Sequence, residues 1–104
     1  MKLVLTEAAL ADLRAIRSYT LATWGAEQEQ RYLRTLWSRI ESLRKDPTSY
    51  RLRDELFPGC RIAAEGRHAI LFRASTETLA IVRILHSAMD FKRQLPPTWL
   101  DLGE

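Results

Sequence analysis

The stretch Leu79-Ala-Ile-Val-Arg-Ile-Leu-His86, followed at once by Ser87-Ala-Met-Asp90, is the part of the chain that decides its interpretation. Its apolar and β-branched residues predict a buried β-strand that carries Arg83 in its middle and His86 at its end. A cation in an apolar strand is costly unless it has a partner or a task. The strand therefore raises the question of whether Arg83 and His86 are catalytic or serve structure and binding.

Length and composition indicate a small globular protein. The chain has 104 residues, and we place a single domain at residues 1–95 and a C-terminal tail at residues 96–104. The net charge is +3 and arginine dominates the basic residues, which permits either a nucleic acid or an acidic protein as partner. The apolar runs are too short to span a membrane and the N-terminus lacks a signal-peptide pattern, so we expect a cytoplasmic location.

The first half of the chain predicts a strand and a helical hairpin. Residues 2–5 are apolar and partly β-branched, and Thr6 can cap a helix that runs to about Thr23. Trp24-Gly25 interrupts the pattern, and a second helix follows that Pro47 ends. The apolar stripe of this second helix comprises Leu33, Leu36, Trp37, Ile40 and Leu43.

The second half predicts a polar loop over residues 48–59 and then three strands joined by short links. We place these strands at residues 60–64, 67–73 and 79–86, and the links favour an antiparallel meander. The predicted fold is therefore α+β, in the order β-α-α-β-β-β. A helical hairpin packs on one face of a small, antiparallel-rich sheet, and the other face is left partly open.

Strict alternation along the last strand assigns its side chains to the two faces. Ala80, Val82, Ile84 and His86 are expected against the helices, because this set is small or apolar until its end. Arg83 is then expected on the open face, where Arg61 and Arg73 join it if the strand registers allow. Such an arrangement predicts a shallow basic concavity.

Several kinds of active site find little support in the residues. Two histidines and the single cysteine, Cys60, do not form a metal-ligand cluster, so we expect no metal and no cofactor. Ser87, His86 and Asp90 have the residue types of a catalytic triad, but adjacent side chains on an extended chain diverge.

Cleavage of RNA without a metal is the remaining candidate chemistry. It needs an acid, a base and a cation on the phosphate. His86 is the candidate acid or base, with Glu65 as a possible second group, and Arg61, Arg73 or Arg83 is the candidate phosphate ligand. A histidine at the end of a strand is nevertheless more often structural than catalytic.

Several segments within residues 2–95 are informative through their order and spacing rather than through any one motif. They are Thr6-Glu-Ala-Ala-Leu-Ala-Asp-Leu13, Trp24-Gly25, Asp46-Pro47, Pro58-Gly59-Cys-Arg61, Gly66-Arg67-His-Ala-Ile-Leu-Phe-Arg73 and Val82-Arg-Ile-Leu-His86-Ser-Ala-Met-Asp90. Taken together, these segments resemble the ParE toxins of the RelE/ParE superfamily, which are toxins of bacterial type II toxin–antitoxin pairs.

The resemblance implies two alternative activities. ParE-type toxins poison DNA gyrase by binding it, whereas RelE-type toxins cleave mRNA on the ribosome. Arg61, Arg83 and His86 fall at positions similar to parts of the nuclease set. No tyrosine follows the last strand and no lysine lies between Lys45 and Lys92, which favours the gyrase-binding alternative.

The resemblance also implies a ParD-like antitoxin as partner, whose C-terminal segment folds onto the toxin. We expect Leu10, Leu13 and Trp24 to border the antitoxin groove. The candidates for target binding are Arg61, Arg67, Arg73 and Arg83. Neither membrane binding nor sequence-specific nucleic-acid binding is expected.

Overall fold

The computed structural model describes residues 1–95, and the predicted tail at residues 96–104 lies outside the described residues. Two long helices and four strands follow one another in the predicted order. They are β1 (Lys2–Leu5), α1 (Glu7–Trp24), α2 (Ala26–Ser42), β2 (Arg61–Glu65), β3 (His68–Ala74) and β4 (Thr78–His86), with a short terminal helix α3 (Phe91–Gln94). A single 3-10 turn, Pro47–Ser49, follows α2.

The four strands form one mixed sheet in the order β1-β4-β3-β2. The pairs β2–β3 and β3–β4 are antiparallel, which confirms the predicted meander, and β1 is parallel to β4. The antiparallel pairs need only short links, whereas the parallel pair requires a long crossover. The helical hairpin is that crossover, and it packs on one face of the sheet.

Thr6 and Gly25 set the ends of α1. The Thr6 hydroxyl accepts the Ala9 backbone N–H at 3.0 Å and donates to the Val82 carbonyl at 2.7 Å, so one side chain both caps the helix and ties it to β4. Gly25 lies between the helices at φ 91° and ψ 171°, a backbone region that only glycine adopts readily. The hairpin therefore turns within a single residue.

The first core fills the space between the helices and the sheet. Trp37 is an exception to the predicted stripe of α2, because its side chain is 44% exposed while its neighbours in the stripe are buried or partly buried. The buried residues of this core are Ala9, Ile16, Leu36, Ile40, Leu43, Ala63, Ile70, Phe72, Leu79, Ile81 and Ile84.

The opposite face of the sheet carries a second core and is not open as predicted. The segment between α2 and β2, expected to be a polar loop, places Leu56 and Phe57 against this face. The start of α3 adds Phe91 at its margin. The buried residues of this core are Leu56, Phe57, Cys60, Ala69, Leu71, Val82, Leu85 and Leu95.

A β-bulge in β4 overturns part of the predicted alternation. Leu71 pairs with Arg83 while Phe72 pairs with Ile81, so that Val82 is an extra residue in β4. Leu79 and Ile81 therefore belong to the helix-side core and Val82 to the opposite one, whereas Ile84 lies on the helix side as predicted.

Candidate functional site

The guanidinium of Arg83 is bound by a carboxylate of α1 and does not lie on an open face of the sheet. Its Nε and Nη2 atoms donate to the two carboxylate oxygens of Asp12 at 2.7 and 2.9 Å, and its Nη1 donates to the Gln94 carbonyl at 2.8 Å. The hydrogen bonds to Asp12 raise the pKa of Arg83 above its ordinary value. The strand pairing of β1 ends at Ile81, so the Arg83 guanidinium can reach around this free edge of β4 to α1.

The remaining candidate arginines do not converge on Arg83. Arg61 pairs with Phe72 of the helix-side core, and its Nη1 donates to the backbone carbonyls of Thr48 and Tyr50. Arg73 pairs with Ala80, and its Nε lies close to Gly59 on the loop before β2. The predicted basic concavity is therefore absent from the described residues, since Arg61 and Arg83 support the fold locally.

Two imidazoles meet where β3 and β4 pair. His68 is directly opposite His86, with ring centroids 5.6 Å apart in an edge-to-face arrangement. Nδ1 of His68 forms a 2.6 Å hydrogen bond with the Tyr32 hydroxyl. Burial, followed by repulsion from His86 and Arg67, lowers the pKa of His68 below its ordinary value of 6.5. Sequence analysis did not pair these histidines, because their contact depends on the register between the two strands.

A backbone hydrogen bond engages one ring nitrogen of His86. Its Nδ1 accepts the Ala88 backbone N–H at 3.1 Å, which leaves Nε2 as the ring nitrogen open to a substrate. Glu65, the suggested second acid or base, is bound to Arg39 at 3.1 Å. These contacts do not assemble the acid, base and free cation that RNA cleavage requires.

A pocket of about 200 Å³ lies between the end of α1, the start of α2 and the β2–β3 turn. We call it the Trp24 pocket. The Arg67 guanidinium carbon lies 5.6 Å from the centre of the Trp24 ring, within the range of a cation–π contact. Its lining residues are Tyr19, Thr20, Trp24, Gln28, Tyr32 and Arg67.

The Trp24 pocket depends on the tight β2–β3 turn. Gly66 has φ 57°, and a Cβ there would lie 2.7 Å from the Tyr32 ring, so no larger residue fits without displacing the ring. The Arg67 backbone N–H donates to the Tyr32 hydroxyl at 3.1 Å, which fixes the turn against α2. Trp24 was predicted to bind the antitoxin and Arg67 to bind the target, and the structure places the two side chains in contact with each other.

The three residues expected to border an antitoxin groove differ in exposure. Leu10 is 43% exposed and Trp24 56% exposed, whereas Leu13 is partly buried against the helix-side core. Leu10 and Trp24 are roughly 21 Å apart along the helix axis at 1.5 Å per residue. They share one side of α1 with Leu21, which is 45% exposed. The exposed Arg14 and Arg17 lie on the same side between Leu10 and Leu21, so this side of α1 is a long mixed surface of apolar and basic residues rather than a compact groove.

Residues 1–95 contain neither a metal-ligand cluster nor a membrane-spanning helix. No group of three or more histidine, cysteine, aspartate or glutamate side chains there is arranged to hold a metal ion. Among the helices of the same residues, none combines the length and apolar character needed to cross a membrane.

Comparison with known sequences identifies the family of this chain. The family described as ParE toxin of type II toxin–antitoxin system, parDE, matches residues 3–91. The chain belongs to this ParE toxin family. It is 38% identical over 93 residues to toxin ParE1 of Mycobacterium tuberculosis, covering 88% of this chain and 95% of the relative. It is 37% identical over 93 residues to toxin ParE of Escherichia coli, with 88% and 90% covered.

Solved structures agree with the fold of this ParE family member. A chain of the chromosomal ParDE toxin–antitoxin system from P. aeruginosa superposes with a TM-score of 0.71 at 24% identity, covering 83% of this chain and 95% of that one. A chain of the toxin–antitoxin complex RelBE2 from Mycobacterium tuberculosis gives a TM-score of 0.59 at 24% identity, with 82% and 95% covered. The predicted RelE/ParE-like α+β fold is therefore confirmed.

Proposed function

We propose that this ParE-family toxin arrests growth by binding DNA gyrase and not by cleaving RNA. The observation that carries the proposal is the engagement of Arg83. Its Nε and Nη2 donate to the Asp12 carboxylate and its Nη1 donates to the Gln94 carbonyl, so the charge of Arg83 is already neutralised and is not available to stabilise a reacting phosphate. The pairing of Glu65 with Arg39 at 3.1 Å supports the same conclusion, because a nuclease needs a second acid or base besides His86.

Paired assays on the purified toxin test this proposal. We expect the toxin to inhibit supercoiling by gyrase and to leave cleaved DNA, and to have no effect on translation in a cell-free system. His86→Gln is the informative variant, since His86 is exposed and its loss leaves the Asp12–Arg83 contact intact. The variant should inhibit gyrase as well as the wild type does.

Arg83→Ala is a poor test of catalysis, because it also leaves Asp12 without its partner. The gyrase proposal would be overturned if the wild type cleaved ribosome-bound mRNA and His86→Gln did not. The protein would then be a RelE-like nuclease that uses Arg61, Arg83 and His86.

We further propose a ParD-like antitoxin as the neutralising partner, docked along the side of α1 that carries Leu10, Leu21 and Trp24. The solved structures with this fold come from toxin–antitoxin systems, which supports a partner of this kind. Three exposed large apolar side chains on one side of a helix form a surface typical of protein partners.

Co-purification with the product of an adjacent small open reading frame tests the antitoxin proposal. Leu10→Asp should weaken the complex, because it removes one of the exposed apolar side chains and puts a carboxylate in its place, and should leave gyrase inhibition unchanged. Leu52→Asp is the matched control, since Leu52 is 46% exposed but lies on the loop before β2. Equal affinity of the wild type and Leu10→Asp for the antitoxin would place the docking surface elsewhere.

A further inference from the structure

The Trp24 pocket shares Trp24 with the proposed antitoxin surface, but its other lining residues have no role in the gyrase proposal or in the antitoxin proposal. Tyr19, Trp24 and Tyr32 surround a space of about 200 Å³, which accommodates one planar ring system. Gln28 contributes an amide, a group that offers both a donor and an acceptor to the edge of such a ring. Arg67 lies over Trp24 at the margin of the pocket.

The local charge favours an anionic ligand. Arg67 forms no ion pair with any carboxylate of residues 1–95. No carboxylate lines the pocket, and each acidic residue on the neighbouring turns has an arginine of its own. These pairs are Glu27–Arg31 at 3.1 Å, Glu29–Arg17 at 3.7 Å and Glu65–Arg39 at 3.1 Å. The guanidinium of Arg67 is thus the surplus cation of this surface.

We propose that the Trp24 pocket binds one nucleotide of a single-stranded nucleic acid, with the base stacked against the aromatic rings and the phosphate on Arg67. Aromatic side chains beside a cation that no carboxylate neutralises are the usual components of single-strand binding sites. Stacking tolerates any base, so the site is not sequence-specific, in agreement with the sequence-based expectation. The Gly66 turn holds the Arg67 backbone against Tyr32, so the cation is positioned before the ligand arrives.

Fluorescence anisotropy tests this site. It measures the binding of a fluorescein-labelled oligothymidylate of about 12 nucleotides to the toxin at several salt concentrations. We expect Trp24→Leu and Arg67→Gln to bind about 5- to 100-fold more weakly than the wild type. Arg67→Gln should also reduce the slope of log K against log salt by about 0.7, the effect of losing one phosphate contact on a single strand. A merely structural role of Arg67 would not change that slope.

Trp37→Leu and Arg34→Gln are matched controls, because both side chains are exposed on α2 and neither lines the pocket. Both should bind the oligonucleotide as the wild type does, and circular dichroism with thermal melting confirms the fold of every variant. Equal weakening by Arg34→Gln and Arg67→Gln, with no effect of Trp24→Leu, would reduce the site to diffuse charge and overturn the proposal.

The outcome for a peptide ligand is also decisive. An acidic, phenylalanine-containing peptide is the alternative ligand. If this peptide binds, Trp24→Leu abolishes its binding and oligothymidylate does not bind at low salt, the pocket is a peptide site and the nucleotide proposal is contradicted. The assay contains no gyrase and no antitoxin, so its result is independent of both functional proposals above.

Discussion

Asp12 is the residue on which the contact between α1 and β4 depends. Its carboxylate accepts hydrogen bonds from Nε and Nη2 of Arg83 and from the Ile84 backbone N–H, the last at 2.9 Å. The Ile84 N–H lies beyond the end of the β1 pairing and has no strand partner on that side. One side chain therefore completes the hydrogen bonds of a sheet edge and neutralises a cation in an otherwise apolar strand.

We expect Asp12→Ala to lower the free energy of unfolding by about 2–4 kcal/mol, because it removes the anion paired with Arg83 and leaves the Ile84 N–H without its acceptor. The side chains of Asp12 and Arg83 are only 14% and 17% exposed, so water replaces the lost contacts poorly. Urea unfolding measures the change. Glu27→Ala breaks the exposed pair with Arg31 and should cost less than about 0.5 kcal/mol. Equal losses in the two variants would contradict this account.

His68 makes stability depend on pH on the acidic side of neutrality. Burial, and then repulsion from His86 and Arg67, lowers its pKa in the folded state below 6.5, while Asp12 acts weakly in the opposite direction. The unfolded state therefore binds the additional proton first as the pH falls. Stability contributed by the neutral ring is complete above about pH 6.5 and is lost as the pH drops toward the lowered pKa.

Urea unfolding at about pH 7.5 and about pH 5.5 should therefore show a loss of stability on acidification that is smaller in His68→Gln than in the wild type. The comparison is internal to each variant, so any change in absolute stability cancels. An NMR titration that places the pKa of the His68 ring at or above 6.5 in the folded protein would contradict the expectation.

At the scale of elements, the segment between α2 and β2 covers the sheet face opposite the helices. Phe57 is fully buried there, although the segment carries no helix or strand beyond the 3-10 turn. We expect Phe57→Ala to destabilise the fold by about 3–5 kcal/mol through the cavity that it leaves. Leu52→Ala, on the same segment but exposed, should cost less than about 0.5 kcal/mol in the same thermal or urea measurement. Similar costs would mean that the segment does not contribute to the second core.

The elements themselves were predictable from sequence, and the exceptions have identifiable physical causes. The capping Thr6, the break at Gly25 and, except for Trp37, the apolar stripe of α2 are local signals that the structure confirms. A β-bulge leaves no sequence signature when all the residues around it are apolar. Strict alternation of side chains along β4 does not include the bulge at Val82, and it therefore assigned Leu79 and Ile81 to the wrong face of the sheet. The environment of Arg83 depends on Asp12, 71 residues away in the chain, which no spacing argument reveals.

At the scale of the whole molecule, two cores share one sheet and should unfold together. Strands β3 and β4 contribute residues to both cores, so neither core can lose its packing while the other keeps an intact sheet. Cys60 reports on the second core, because it is fully buried and burial raises the pKa of its thiol to about 12. A buried, protonated thiol reacts with disulfide reagents only after the surrounding structure opens.

We therefore expect Cys60 to remain unlabelled in the native toxin at about pH 8 and to become reactive with increasing urea at the midpoint seen by far-UV circular dichroism. Tryptophan fluorescence supplies a third probe, since Trp24 and Trp37 lie on the helical hairpin. Labelling of Cys60 at a urea concentration well below the other two midpoints would show that the second core opens first. The loop that carries Phe57 would then be a separately unfolding unit, and the shared sheet would not couple the two faces.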